Sequence, residues 1–491
     1  MQQIDEARVR QIVEQVVKSL SPEGRTPPAG SVVAPARSGD GDGAKPPPTT
    51  LGDGVFATID EAVGATEKAQ REWIKMTLEK RKLVVEAVRR VGIENAEMFA
   101  RYTVAETGMG RVADKIVKHV TVCQKTPGFE DLDTIAWSGD KGLTIEEMAP
   151  YGVVAAVTPS THPVPTMLNN TICNLVAGNG IVFNGHPGAK RVFALGIQTV
   201  NRYIVKAGGP ANLVTTTPEP TIESANALFK HPAIKLILVT GGAGVVKAAM
   251  GSGKKTIAAG PGNPPVVVDE TADLDRAARS IIEGASFDCN VLCVAEKEIF
   301  VVDTVADELK RLMVRHGAFE LTTAQIEALA KNVFSGDAGC AHPVLDRNFV
   351  GRDAETLAKA IGITIPSTTR ILFGETNKDH AFVQHEQMTS FIPLVRCRDV
   401  HQAIDWAIEA EHGFFHTACM HSKNVEYMDK MARLCNCTIF VKNGPSTAAL
   451  GSGGEGTLTY SIAGPTGEGV TTPRTFTRRR RCALVDYFRI I

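Results

Sequence analysis

The stretch Gly152-Val-Val-Ala-Ala-Val-Thr158 restricts the fold more than any other part of this chain. Small and β-branched residues run through it without polar alternation, the pattern of a strand buried on both faces of a parallel sheet. Pro159-Ser-Thr-His-Pro163 then turns the chain into a helix that reaches Val176, Ala177-Gly-Asn-Gly180 stops it, and Ile181-Val-Phe183 is the next strand. Strand, helix and strand in that order are the crossover unit from which nucleotide-binding α/β sheets are built. A further apolar strand, Ile234 to Val239, ends in Thr240-Gly-Gly-Ala-Gly244 ahead of another helix. A glycine-rich turn of this kind lets backbone amides and a helix N-terminus approach a pyrophosphate. It is not the G-x-G-x-x-G pattern, and alone it says little.

The rest of the chain is consistent with a large globular protein. Its 491 residues are 43% hydrophobic and 22% charged, enough for two or three domains. A formal net charge of -1 supplies no field to gather nucleic acid or an anionic membrane. No run approaches the roughly 18 apolar residues that mark a membrane span. Ten cysteines without a secretory leader indicate a reducing compartment and free thiols. Cys435-Asn-Cys437 lacks the paired spacings of a zinc site, and no metal is expected.

Residues 1–20 read as a separate amphipathic helix, with Ile4, Val9, Ile12, Val13, Val16, Val17 and Leu20 on one stripe. About five turns are marginal alone, so the stripe wants a partner. Residues 21–50, rich in Pro, Gly, Ala, Ser and Asp, form a linker. The globular body begins near Val55, with helical periodicity over Asp60 to Gln70, Arg71 to Val91 and Ile93 to Thr107. Helices and short strands alternate from Val302 to Asp379, and Ala403 to Gly413 is an amphipathic helix with a glycine stop.

Two thiols, Cys289 and Cys293, lie four residues apart between a helical pattern (Leu274 to Gly284) and an apolar strand (Ile299 to Val302). A thiol at such a junction can sit at the edge of a cleft while both neighbouring elements stay packed. As a nucleophile it needs a lowered pKa or a base. Most free cysteines are simply small buried hydrophobes.

The segment Phe287-Asp-Cys-Asn-Val-Leu-Cys293-Val-Ala-Glu-Lys-Glu298 resembles the nucleophile region of the CoA-acylating aldehyde dehydrogenases. The resemblance makes Cys293 the acyl carrier and Cys289 a bystander, with a redox partnership left open. It extends through Thr158-Pro-Ser-Thr-His-Pro163, Ala177-Gly-Asn179, His186-Pro-Gly-Ala-Lys190, Phe440-Val-Lys-Asn-Gly-Pro445 and Pro465-Thr-Gly-Glu-Gly-Val470, and covers residues 51–491. It implies cofactor contacts from Thr158, Pro159, Ser160, His186, Pro187, Thr240, Gly241 and Gly242, and from Glu386 to the nicotinamide ribose. His416 and His421 match the family as structural histidines. Hydrolytic members place an oxyanion-holding asparagine near Thr161, so a side-chain role there is not expected; backbone amides at Cys293 can serve instead.

One absence carries function. Hydrolytic aldehyde dehydrogenases have a water-activating glutamate where this chain has Ala258-Ala259. Without that base an acyl thioester survives until another thiol attacks it. The expected fold is α/β: a Rossmann-like cofactor domain (51–265, with a strand excursion near 128–150), an α/β catalytic domain (266–445), and a return segment with an oligomerisation strand (446–491). The four arginines Arg478 to Arg481 are expected at subunit contacts of a homo-dimer or tetramer, with contact to a CoA phosphate as the alternative.

The body resembles the CoA-acylating propionaldehyde dehydrogenases of propanediol-utilising bacterial microcompartments. That implies NAD and coenzyme A as cosubstrates, a short-chain aldehyde as substrate, and ping-pong chemistry in which one cleft serves both nucleotides in turn. Residues 1–20 resemble the encapsulation peptides that bind shell proteins, placing the enzyme in a compartment within the bacterial cytoplasm. By pattern alone they suit equally a helix docking on its own enzyme or an oligomerisation tail. The alternatives are an ethanolamine-type acetaldehyde enzyme with the same chemistry, a hydrolytic dehydrogenase, and a silent scaffold component.

Overall fold

A computed structural model describes residues 45–335 and 344–490. The expected helix at 1–20 and nearly all of the linker at 21–50 lie outside the described residues. The chain divides into two compact units, one built largely from Ala100–Lys118 and Pro261–Gly456, the other from Pro46–Phe99, His119–Gly260 and Thr457–Ile491.

In chain order the principal strands are β1 (Ile135–Gly139), β2 (Gly142–Pro150), β3 (Val153–Val157), β4 (Gly180–Asn184) and β5 (Val214–Thr216). Then come β6 (Ile234–Thr240), β7 (Thr256–Ala259), β8 (Pro265–Val268), β9 (Glu298–Val302) and β10 (Ala318–Glu320). The last are β11 (Ile371–Thr376), β12 (Phe391–Cys397), β13 (Thr417–His421), β14 (Ile439–Lys442) and β15 (Thr477–Val485).

The unit containing β3 holds a five-stranded parallel sheet ordered β5-β4-β3-β6-β7. β3 and β4 are buried at every position, as their unbroken small and β-branched sequences require. The helix Pro163–Val176 that joins them is wholly buried. Proline at its first position suits a site where the N–H has no helical partner. The stop is chemical as well as conformational. Gly178 adopts φ +87, and Asn179 accepts from the N–H groups of Tyr151 and Gly152 while donating to the Phe476 carbonyl. Across the sheet, Val153, Ala155, Val157, Ile237 and Val239 pack with Leu228 and Phe229. The same unit carries an antiparallel sheet β1-β2-β15, in which Thr477 pairs with Pro150 and Val485 with Gly142. The strand expected within residues 446–491 therefore runs from Thr477 to Val485 and takes in all four arginines. Arg481 reaches Glu146 at 2.9 Å and lies over the Trp137 ring.

The other unit is a seven-stranded, all-parallel sheet ordered β10-β11-β12-β9-β8-β13-β14. Val267, Phe300, Val395, Ala418 and Met420 from its central strands form a core with Val400, Ala403, Ile404 and Ala407 of the helix Val400–Glu411. That helix ends where His412 takes a left-handed conformation ahead of Gly413, matching the expected stop.

Two segments of this division have visible bonds behind their placement. Residues 100–118 belong with the second sheet because Lys115 and Lys118 bind Asp288. Residues 457–491 join the first because β15 completes the sheet on β2 and Thr459 and Ser461 bond Asn169 and Asn170. Among the described residues no helix is long and apolar enough to cross a membrane, and no cluster of three metal-ligating side chains occurs.

Candidate active site

The turn that leads to Cys293 is built against the preferences of its own backbone. The helix Leu274–Ser286 ends, and Asp288, Cys289 and Asn290 follow with φ of +48, +57 and +63. Three successive non-glycine residues in the left-handed region cost of order 1 kcal/mol or more each, and persist only where the surroundings hold them. Here they are held from several directions. The Asp288 carboxylate accepts from Lys115 at 2.9 Å, Lys118 at 2.5 Å and the Arg111 N–H at 2.9 Å, while its own N–H donates to Asp114 at 2.9 Å. Lys115, Lys118 and Asp288 are essentially inaccessible to water. Burial works to raise the Asp288 pKa, but the two ammonium groups overcome it and hold the carboxyl below its usual range. Burial brings Lys118 down to about 8.

On the other side of the turn, Asn290 donates to the carbonyls of Ala285 and Glu296. Lys297, buried in the same unit, donates to the Asn290 backbone and side-chain oxygens and to the Leu292 carbonyl. Glu296 points away from this group and accepts from the Ser446 N–H and hydroxyl at 2.7 and 2.8 Å. Gly284 leaves it room, since a Cβ there would fall 2.1 Å from the carboxylate.

Of the two thiols, Cys289 is buried and Cys293 is partly exposed. Burial is the main cause that pushes Cys293 up to about 12, with the Glu386 carboxylate adding to it and Lys297 opposing. Burial likewise lifts Glu386 to about 7, against the pull of Lys297 and a hydrogen bond from the Gly262 N–H. Gly262 is the hub of this arrangement. A Cβ on it would stand 2.8 Å from the Cys293 carbonyl oxygen and 2.9 Å from the His416 ring. His416 is buried, its Nδ1 paired with the Thr417 hydroxyl at 2.9 Å and its Nε2 without a partner. Burial lowers its pKa to about 4, so the ring is neutral at pH 7. The structure thus gathers Cys293, Glu386, Lys297 and His416 around one glycine.

The residues expected to contact the nucleotide lie, apart from Glu386, in the other unit. Strand order reverses between β3 and β6, the point outside whose carboxyl ends ligands bind in open α/β sheets. Thr158, Pro159 and Ser160 follow β3, and Thr240 closes β6 ahead of Gly241 and Gly242. The Cβ direction at Gly242 is open, so a ligand can reach its backbone. His186 and Pro187 follow β4, and His186 Nδ1 accepts from the Gly188 N–H at 3.0 Å. Thr161 bonds His162 at 2.9 Å. The candidate residues therefore form two sets. Eight lie along one sheet edge, whereas Glu386 sits with Cys293.

The model of the aldehyde dehydrogenase family matches residues 49–323. The chain belongs to that family. It is 48% identical over 489 residues to an acetaldehyde dehydrogenase (acetylating) of Bilophila wadsworthia, covering 98% of this chain and 99% of that protein. It is 42% identical over 441 residues to a propanal dehydrogenase (CoA-propanoylating) of Citrobacter freundii, covering 89% and 94%. Among solved structures, a propionaldehyde dehydrogenase from the Clostridium phytofermentans fucose utilisation bacterial microcompartment superimposes with TM-score 0.87 at 44% identity, over 90% of this chain and all of that one. The Rhodopseudomonas palustris propionaldehyde dehydrogenase with bound propionyl-CoA gives 0.86 at 45% identity, over 89% and 96%. This aldehyde dehydrogenase thus stands among the CoA-acylating members, in the α/β fold expected.

Sequence reasoning missed Lys297 and the Asp288 clamp in this aldehyde dehydrogenase. Lys297 stood in the quoted motif between two glutamates, where nothing local marks it as buried. Ala258 and Ala259 are buried on β7, where neither side chain can activate water.

Proposed function

We propose that this enzyme oxidises a two- or three-carbon aldehyde, with NAD as hydride acceptor, to a thioester on Cys293 and passes the acyl group to coenzyme A. The observation that carries the reading is Cys293 itself, a partly exposed thiol at the end of a turn whose backbone is pinned on both sides. The Cys293 sulfur, once deprotonated, attacks the aldehyde carbonyl to give a thiohemiacetal. A thiol pushed up to about 12 must pass its proton to an acceptor before the sulfur can attack. NAD supplies the hydride acceptor that turns the thiohemiacetal into a thioester. Burial of Ala258 and Ala259 leaves that thioester without the family's hydrolytic base, which favours a thiol as the next nucleophile.

The residues at the sheet edge suit a dinucleotide. Thr240-Gly241-Gly242 leads into the helix Ala243–Met250, and Thr158 Oγ1, Thr166 Oγ1 and Asn170 Nδ2 are buried without partners among the described residues. A relative, an engineered glycolyl-CoA reductase at 44% identity, binds NADP+.

The identities of 48% to an acetylating relative and 42% to a propanoylating one favour acetaldehyde over the propionaldehyde expected first from sequence. Relatives from microcompartments support the same setting for this chain, with residues 1–20 as the address. The deciding assay follows NADH from each aldehyde with NAD, with and without CoA, in wild type and Cys293→Ala. CoA-dependent turnover that the substitution abolishes is the expected result. Steady turnover to free acid without CoA would refute the acyl-transfer reading, and the ratio of kcat/KM for the two aldehydes ranks the substrates.

A further inference from the structure

A chain of side chains runs from the carboxyl end of β6 into the helix Pro163–Val176. Thr240 Oγ1 lies 2.7 Å from Ser461 Oγ, and the Ser461 hydroxyl donates to Asn170 Oδ1 at 3.1 Å. With the hydroxyl proton of Ser461 used on Asn170, the Thr240 hydroxyl is the donor in the first bond. Asn170 is wholly buried, and its Nδ2 has no acceptor among the described residues. One turn earlier on the same helical face, Thr166 is equally buried and its Oγ1 is also unpartnered. Thr158 Oγ1, at the end of β3, is a third. Buried polar groups are nearly always bonded, and an orphaned amide donor costs of order 1–3 kcal/mol, so three beside one strand edge call for a polar guest.

We infer that the Asn170 amide, oriented by Ser461 and Thr240, donates to the carboxamide oxygen of the nicotinamide ring. This rests on the proposed NAD-dependent function and adds a contact that fixes the reactive ring. A carboxamide offers one acceptor oxygen and an NH2 donor side by side. Nδ2 of Asn170 matches the first and the hydroxyls of Thr158 and Thr166 match the second. Adenine presents a related pattern on its N1/N6 edge. Depth separates the two: Asn170 and Thr166 have no solvent exposure, and nicotinamide is the ring that hydride transfer requires to be shielded from water. Asn170 is thereby a nucleotide-positioning residue.

The test is calorimetric binding of NAD+, of its thionicotinamide analogue, whose C=S accepts poorly, and of the 3-acetylpyridine analogue, which keeps the carbonyl but lacks the NH2. Wild type should bind the thio analogue about tenfold more weakly than NAD+, on the scale of one neutral hydrogen bond, and should also bind the acetyl analogue more weakly, because it forfeits the NH2 that the Thr158 and Thr166 hydroxyls accept. Asn170→Ala should bind NAD+ about tenfold more weakly and lose the preference for oxygen over sulfur. Ser461→Ala, a smaller change that leaves the amide unanchored, should reduce that preference in part. Equal binding of NAD+ and the thio analogue by wild type, which needs no variant to fold, would overturn the inference. So would an undiminished preference in folded Asn170→Ala. Failure of wild type to bind NAD+ at all would instead overturn the proposed function.

Discussion

Cys293 should be a sluggish nucleophile in the free enzyme, and the structure sets how sluggish. A thiol held at about 12 is ionised at pH 8 to about one part in 10⁴, against roughly a quarter for an ordinary cysteine near pKa 8.5. The thiolate deficit is thus on the order of 10³. A more basic thiolate is intrinsically more reactive, with a Brønsted slope of about 0.4–0.5, which recovers some 30- to 50-fold over this interval. The net expectation is reaction with an aromatic disulfide roughly 50–100 times slower than free cysteine at pH 8. The rate should climb about tenfold per pH unit up to at least pH 10, without a plateau. Glu386 adds a signature of its own. Its charge raises the Cys293 pKa, so Glu386→Gln should lower that pKa and speed the reaction at pH 8. Because Glu386 titrates near 7, the difference should fade below about pH 6, where the wild-type side chain is already neutral. The measurement is modification of the Cys293 peptide followed by mass spectrometry between pH 6 and 10, with Cys293→Ala as blank. A wild-type rate that levels off near pH 8, or a Glu386→Gln variant that reacts more slowly at pH 8, would refute this account.

Two structural substitutions separate the clamp from the hub. Asp288→Asn leaves the buried ammonium groups of Lys115 and Lys118 without their shared counter-charge, a loss of about 3–5 kcal/mol. The midpoint of thermal unfolding should fall by roughly 4 °C, and a fall of less than about 1 °C would show that other groups neutralise the pair. Gly262→Ala drives a methyl group against the Cys293 carbonyl and the His416 ring, so the nucleophile must move. Displacement on the ångström scale should lower kcat about 100-fold while NAD+ affinity, measured by calorimetry, holds, because the methyl group meets none of the eight residues proposed to hold the nucleotide at the sheet edge. A kcat within twofold of wild type would contradict the role given to this glycine.

How far the sequence could be read depended on whether a residue's task was local. The crossover from Val153 to Asn184 was plain because each element carries its own signature: unbroken apolar strands, proline at a helix start and a glycine-asparagine stop. The Phe287 to Glu298 segment drew attention because its motif is contiguous. What escaped was charge facing inward. Lys115, Lys118 and His119 interrupt the apolar pattern of the helix Val112–Lys125, yet all three are buried. Periodicity treats such residues as solvent-facing, so this helix was not anticipated. Its partner, Asp288, is 173 positions from Lys115, a separation no local pattern spans. Asn170 was hidden for a related reason: a polar residue on a fully buried helix shows its purpose only when its one unpaired atom is found. The four arginines drew attention as a charge run, but pairing with β2 makes them alternate across a strand, two of them directed to Glu146.

The thread from Asp288 back to Lys115 also orders events during synthesis. A left-handed triplet is among the least probable states of a nascent chain, so the turn before Cys293 cannot settle until its anchors are present. The lysines emerge from the ribosome early, and for the next 170 or so residues they have no carboxylate to neutralise them. At about 5–20 residues per second that interval lasts roughly 10–30 seconds. Their segment must wait in a soluble, charged form while the β3 to β7 sheet is made between them. The same bonds that hold the reactive cysteine in the finished enzyme therefore close late, and a chain interrupted before residue 288 carries no formed nucleophile turn.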